Sequence, residues 1–271
     1  MRIKNFISTA LLLVIFAFIF AIGYFFFNQL FVKTDLEFAN KMIGAFAGAF
    51  FAFLFVRIGD ALTRLYDRQK KNYNGLVRLE YLCNEYLNQI SDNVFVIDDF
   101  SKIATESMAK NEPFVYMNTL HEFIIPKDLL LDLANIDLIN EVFSFYADTE
   151  KMNHSIATVN RFYSEIKDAF IQQKIDYATY KTNMTIGLAK MAELRKFLLG
   201  LDQETKTMAA MTRLLSKDKP FLTYLIHLSS REYLSKGIKN KVPGEVKKLE
   251  AEIEATKTKS AAEIANIHKS F

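Results

Sequence analysis

The chain has 271 residues, 51% of them hydrophobic, with 25 Phe, no Trp, one cysteine, and 34 basic against 31 acidic side chains. These figures exclude a disordered, collagenous or disulfide-stapled protein. With Arg2, Lys4, Lys33, Lys41, Asp35 and Glu37 set aside, the remainder is close to neutral, which argues against bulk nucleic-acid binding, a task that needs a clear basic excess.

The apolar residues crowd into the first 58 positions. No charge lies between Lys4 and Lys33, and Ile7 to Phe27 alone would make about 31 Å of helix. The segment from about 6 to 32 is therefore predicted as an uncleaved transmembrane helix. It is too long for a signal-peptide core and no small-x-small cleavage site ends it.

A second helix is expected over about 36 to 58. Its uncharged stretch, Met42 to Val56, would span only about 22 Å, so Leu36, Phe38, Ala39 and Ile58 must extend it, with Glu37 and Lys41 at the interface. Those two are spaced to pair, and Lys41 can also snorkel. A re-entrant segment is the competing expectation. Residues 1–58 thus read as a transmembrane hairpin in contact with the lipid bilayer.

Arg2 and Lys4 precede the hairpin, and Arg57, Arg64, Arg68, Lys70 and Lys71 follow it. The positive-inside rule then puts both termini in the cytoplasm, with the protein in a bacterial inner (cytoplasmic) membrane. The outward loop of about ten residues is too small for a sensor domain. Along the second span, Gly44, Gly48 and Ala52 form a small-residue face opposite Ile43, Phe46, Phe50 and Leu54. Such a face admits close helix packing. Its partner is either Ala17 and Ala21 of the first span or the same face of another copy, with Glu37 and Lys41 near a central axis as in a pore.

Residues 59–240 are expected to form a cytoplasmic helical domain. Its single cysteine, Cys83, lies on an apolar stripe and suits a reducing compartment. From Arg57 to about Val96 the apolar spacing is mostly three and four, and Leu62, Gln69, Leu76, Cys83, Ile90 and Ile97 share one heptad position. That pattern fits either a coiled coil with a second copy or a bundle helix packed on its own chain.

Pro113 and Pro126 bracket a stretch that is either extended or a proline-flanked helix. Helical periodicity then resumes from Leu133 to Phe170 with Asp128 as the expected cap. Further helices are predicted from Tyr177 to Leu199, stopping near Gly200, from Glu204 to Leu215, and from Pro220 to Ser235, stopping near Gly237. An antiparallel bundle is the economical architecture, so the fold class is all-α. The tail, 241–271, reads as a helix begun by Pro243 that projects or pairs as a coiled coil.

Chemistry is hard to find in this sequence. The nine glycines form no phosphate-cradling loop, and His121, His154, His227 and His268 are isolated, so no catalytic, cofactor or metal residues are predicted. Asp98, Asp99 and Glu106, and Asp148 with Glu150, are the densest carboxylate groups considered, and helix capping explains them as well as acid–base work does. Arg161, Arg195, Arg213 and Arg231 are candidates for an anion site, provided that the fold brings them together.

A short membrane hairpin followed by a cytoplasmic helical domain resembles, in layout, several unrelated kinds of bacterial protein, including membrane effectors of antiviral abortive-infection systems. The expectation is a non-enzymatic inner-membrane protein whose helical domain binds a protein partner or signal, self-associating as a membrane-perturbing effector. A membrane-tethered enzyme acting on a nucleotide or lipid headgroup, or a plain membrane scaffold, are the alternatives.

Overall fold

The computed structural model describes residues 36–111, 116–217 and 236–269. The expected first span, the helix expected over Pro220 to Ser235, and Arg231 lie outside these. Among the described residues there are four long α-helices and no β-strand: α1 (Leu36–Ala109), α2 (Ile136–Ile171), α3 (Tyr177–Lys217) and α4 (Lys236–Lys269). The chain divides into two compact units; the described part of the first is 36–70, and the second begins at Lys71.

In the first unit α1 passes through Gly44, Gly48 and Gly59 without a break. Its side chains are turned outward: Phe46, Phe51, Phe55, Val56 and Ile58 are all exposed. A run of this kind in water would forgo roughly 1.5–3 kcal/mol of burial per large side chain. α1 is also the one helix, among the described residues, that is long and apolar enough to cross a membrane.

In the second unit three helices carry the same seam. Buried residues step by alternating threes and fours along α1 (Leu76, Leu79, Cys83, Tyr86, Ile90, Asn93, Ile97, Phe100, Ala104), along α2 (Leu138, Val142, Phe145, Thr149, Met152, Ile156, Val159, Tyr163, Ile166) and along α3 (Tyr180, Met184, Gly187, Met191, Leu194, Leu198, Leu201, Thr205, Met208). Alternating steps of this kind average 3.5 residues, so each helix keeps one stripe facing its neighbours. The heptad counted from Leu62 is therefore real, and from Leu76 onward it is buried on its own chain. Leu62 remains exposed and Gln69 half-buried.

The sequence predicts an antiparallel bundle, but the helices are not all antiparallel. Tyr86 meets Phe145 at 5.6 Å and Phe100 meets Tyr163 at 5.3 Å, so α1 and α2 advance in the same direction. Two parallel neighbours need a return path, and the chain supplies it as an extended strap, residues 116–126, not as a helix. The strap buries Met117, Leu120 and Phe123, three residues apart.

A strap outside any sheet has no ladder for its backbone, and buried N–H and C=O groups need partners. Asparagine side chains provide them. Asn160 accepts from Leu120 N (3.1 Å) and donates to Leu120 O (2.9 Å), and Asn153 does the same for Phe123 (2.7 and 2.8 Å). From α1, Asn93 accepts from His121 N (2.8 Å) and donates to His121 O (2.9 Å).

Three tyrosines and a glutamine complete the set: Tyr163 accepts from Met117 N, while Tyr86, Gln89 and Tyr146 donate to the carbonyls of Ile124, Glu122 and Pro126. The spacing has a simple cause. Three extended residues advance about 10 Å, and seven helical residues about 10.5 Å. Leu120, Phe123 and Pro126 therefore fall in register with Asn160, Asn153 and Tyr146.

Several element boundaries differ from expectation. α1 runs on past Val96 to Ala109. Asp128 does not cap α2: it lies in a short 3₁₀ turn (Lys127–Leu131) and binds Arg78 at 2.8 Å, while Asn135 caps α2 by accepting from Leu138 N at 2.9 Å. The two helices expected on either side of Gly200 are one, α3, because Gly200 is helical and nothing lies within 4 Å of where its Cβ would be. Helix propensity alone then decides, and Gly200→Ala is expected to raise stability by about 1 kcal/mol, measurable as a higher Tm in detergent.

Pro243, expected to start the tail helix, lies inside α4, as does Gly237. The beginning of α4 is packed, with Val246 and Leu249 buried, while Lys217 reaches the buried Glu245 at 2.7 Å and holds its carboxyl below the usual range.

Candidate functional site

The membrane-length part of α1 is the first candidate. Lys41 Nζ donates to Glu37 Oε1 at 2.8 Å, as the i,i+4 spacing predicts, and both residues are exposed. Gly44 and Gly48 have no atom within 4 Å of an added Cβ, and Ala52 is exposed. The small-residue face is thus open among the described residues. Arg57, Arg64, Arg68, Lys70 and Lys71 are all exposed, and the Arg57 guanidinium sits 5.3 Å from the centre of the Phe53 ring.

The second candidate, the arginine set, is divided among separate carboxylates. Arg161 lies 3.9 Å from Glu165 on its own helix, an exposed pair of little energetic weight. Arg195 grips Asp98 with two bonds, 2.6 and 3.1 Å, joining α3 to α1. Arg213 is the most enclosed: it binds Glu80 at 2.7 Å and Glu252 at 2.6 Å, tying α1, α3 and α4 together. Burial disfavours its charge and the two carboxylates more than restore it, so its pKa is raised. Arg195 and Arg213 thus act as cross-braces between helices, and all three described arginines of the set already have a carboxylate partner.

Cys83 is fully buried, and burial pushes its thiol pKa well up, which removes it as a nucleophile. His121 and His154 are exposed. Among the described residues no cluster of three or more His, Cys, Asp or Glu could hold a metal ion.

A third feature went unnoticed in the sequence. Glu141, Ser144, Asp148, Gln203, Glu204 and Thr207 rim a cleft of about 240 Å³ between α2 and α3, floored by Phe145, Met208 and Met211. Partial burial and the neighbouring Asp148 raise the Glu204 pKa. Glu150, paired with Asp148 in the sequence argument, instead reaches Lys127 at 3.6 Å, and Asp148 holds Lys151 at 2.7 Å. The lining brings the carboxylates together with the Ser144 and Thr207 hydroxyls and the Gln203 carboxamide, and holds no histidine, cysteine or lysine. Only the facing of α2 and α3 assembles it: Glu141 and Asp148 lie seven residues apart on α2, and Glu204 comes from α3. No protein-family model, no curated protein and no solved structure matches this chain.

Proposed function

We propose that this chain is a non-enzymatic protein of a bacterial inner membrane, held there by the 1–58 region with both termini in the cytoplasm. Its helical domain binds a cytoplasmic protein partner or signal. The membrane part self-associates through Gly44, Gly48 and Ala52 into a membrane-perturbing effector, the kind of device used in antiviral defence.

The observation that carries this is the stretch of α1 from Gly44 to Ile58, which is charge-free up to Val56, uncovered on its described faces and followed at once by basic residues. An uncovered apolar helix asks for lipid or for other helices. The open glycine face favours a close helix partner.

The test is expression with a reporter of membrane potential, beside size determination of the purified chain in detergent. Depolarisation and a discrete oligomer are expected, and Gly48→Leu should abolish both by filling the seam. Unchanged leakage and unchanged size in Gly48→Leu would sink the seam. Stoichiometric co-purification of one protein without leakage would turn the assignment to a scaffold.

A further inference from the structure

The basic residues after the membrane segment are arranged, not scattered. At 100° per residue, Arg57, Arg64, Arg68 and the more distant Lys71 fall within about 60° of one another around α1, while Lys70 lies about 140° from Arg57. Although Asp60 and Asp67 sit on the same helix, none of the three arginines forms an ion pair among the described residues. Elsewhere the described arginines Arg78, Arg161, Arg195 and Arg213 each engage a carboxylate.

Residue type is also selective. Lys outnumbers Arg 25 to 9 in the whole chain, yet the first three basic residues past the span are all Arg. Guanidinium groups bind phosphate oxygens in a bidentate fork, which ammonium groups cannot do.

The geometry points to a phosphate-binding stripe on α1 that holds the headgroup phosphate of an anionic phospholipid between Arg57 and Arg64. This rests on the membrane placement proposed above. Arg57, braced on the Phe53 ring, lies at the level of the headgroups, a layer of about 5–7 Å. Arg64 is about 10 Å further along the axis and reaches back by snorkelling. Arg68, at about 16 Å, is two Debye lengths of about 8 Å away and too far for its side chain to reach back, so it adds little. Lys70 faces elsewhere. A zwitterionic headgroup sets its own cation beside the same phosphate and repels the arginines, so the stripe selects anionic lipid, with the two membrane-proximal arginines supplying most of the preference.

The full-length chain, reconstituted in phosphatidylcholine vesicles with or without phosphatidylglycerol, tests this by native mass spectrometry of retained lipid and by alkaline extraction as an independent readout of insertion. Insertion in both vesicle types is expected, with phosphatidylglycerol retained from the vesicles that contain it. Apparent affinity should fall about fivefold for each of R57Q and R64Q and less than twofold for R68Q and K70Q. Insertion without any preference for phosphatidylglycerol, or equal losses for all four variants, overturns the stripe and leaves the membrane placement standing. Failure to insert in either vesicle overturns both.

Discussion

Asn93→Ala is expected to destabilise the helical domain by about 2–3 kcal/mol, the largest loss from any single polar side chain that holds the strap. Asn93 is fully buried and satisfies both the N–H and the C=O of His121. Its removal leaves two backbone groups without partners, each costing roughly 1–3 kcal/mol, partly relieved by water because the His121 side chain is at the surface. Asn153→Ala and Asn160→Ala, at half-buried sites, should cost about 1–2 kcal/mol each.

The check is chemical unfolding in detergent, together with hydrogen exchange at the amides of Leu120, His121 and Phe123. Those amides should be protected in the parent chain and released first in the variants. An exposed strap residue, Asn118, serves as control: Asn118→Ala should stay within about 0.5 kcal/mol. If Asn93→Ala proves equally silent, the carboxamides only decorate a strap held by Met117, Leu120 and Phe123.

Gly75→Leu should destabilise by about 2 kcal/mol or more, through steric conflict and not lost contacts. A Cβ at Gly75 would stand 3.0 Å from Asp132 Cβ, 3.2 Å from the Asp132 carbonyl carbon and 3.3 Å from Leu133 Cδ2. The opposing segment cannot easily retreat. Arg78 binds Asp132 at 3.1 Å, and Asn72 accepts from Ala134 N at 2.8 Å, so three residues on one face of α1 seat it. Overpacking of this kind costs about 1–3 kcal/mol, and the gain in helix propensity of about 1 kcal/mol offsets only part of it. Thermal unfolding of Gly75→Leu beside Gly200→Ala makes the contrast direct: both glycines are helical, and the expected shifts have opposite sign. A Gly75→Leu chain as stable as the parent would mean that residues 132–134 are free to move away.

Much of the helical domain was legible in the sequence. The three-and-four stepping of α1, α2 and α3 follows from side-chain chemistry at fixed helical geometry, so it needs no partner to be seen. The Glu37–Lys41 pair was legible for the same reason, being local. Boundaries were less so: Gly200 and Pro243 are ordinary stop and start signals, worth about 1 to 3 kcal/mol each, and packing of the flanking residues overrides such sums. The strap was legible only as one of two alternatives, an extended segment between two prolines, and its seat was not legible. Asn93, Asn153 and Asn160 look like neutral helix residues until an extended segment lies across them, and nothing near Pro113 and Pro126 says which helices will receive it.

The candidate sites divide along the same line. Sequence alone placed the apolar segment, the small-residue face and the basic residues after it, because membrane length and charge placement are one-dimensional properties. Sequence alone also established the all-helical character, through periodicity. Only the tertiary structure decided that α1 and α2 run parallel, that Asp128 serves Arg78 and not a helix end, that Arg195 and Arg213 brace helices, and that Glu141, Asp148 and Glu204 share a cleft. Each of those depends on which faces meet across gaps of tens to more than a hundred residues, and the stepping pattern that fixes a helix face is the same whichever neighbour that face will find.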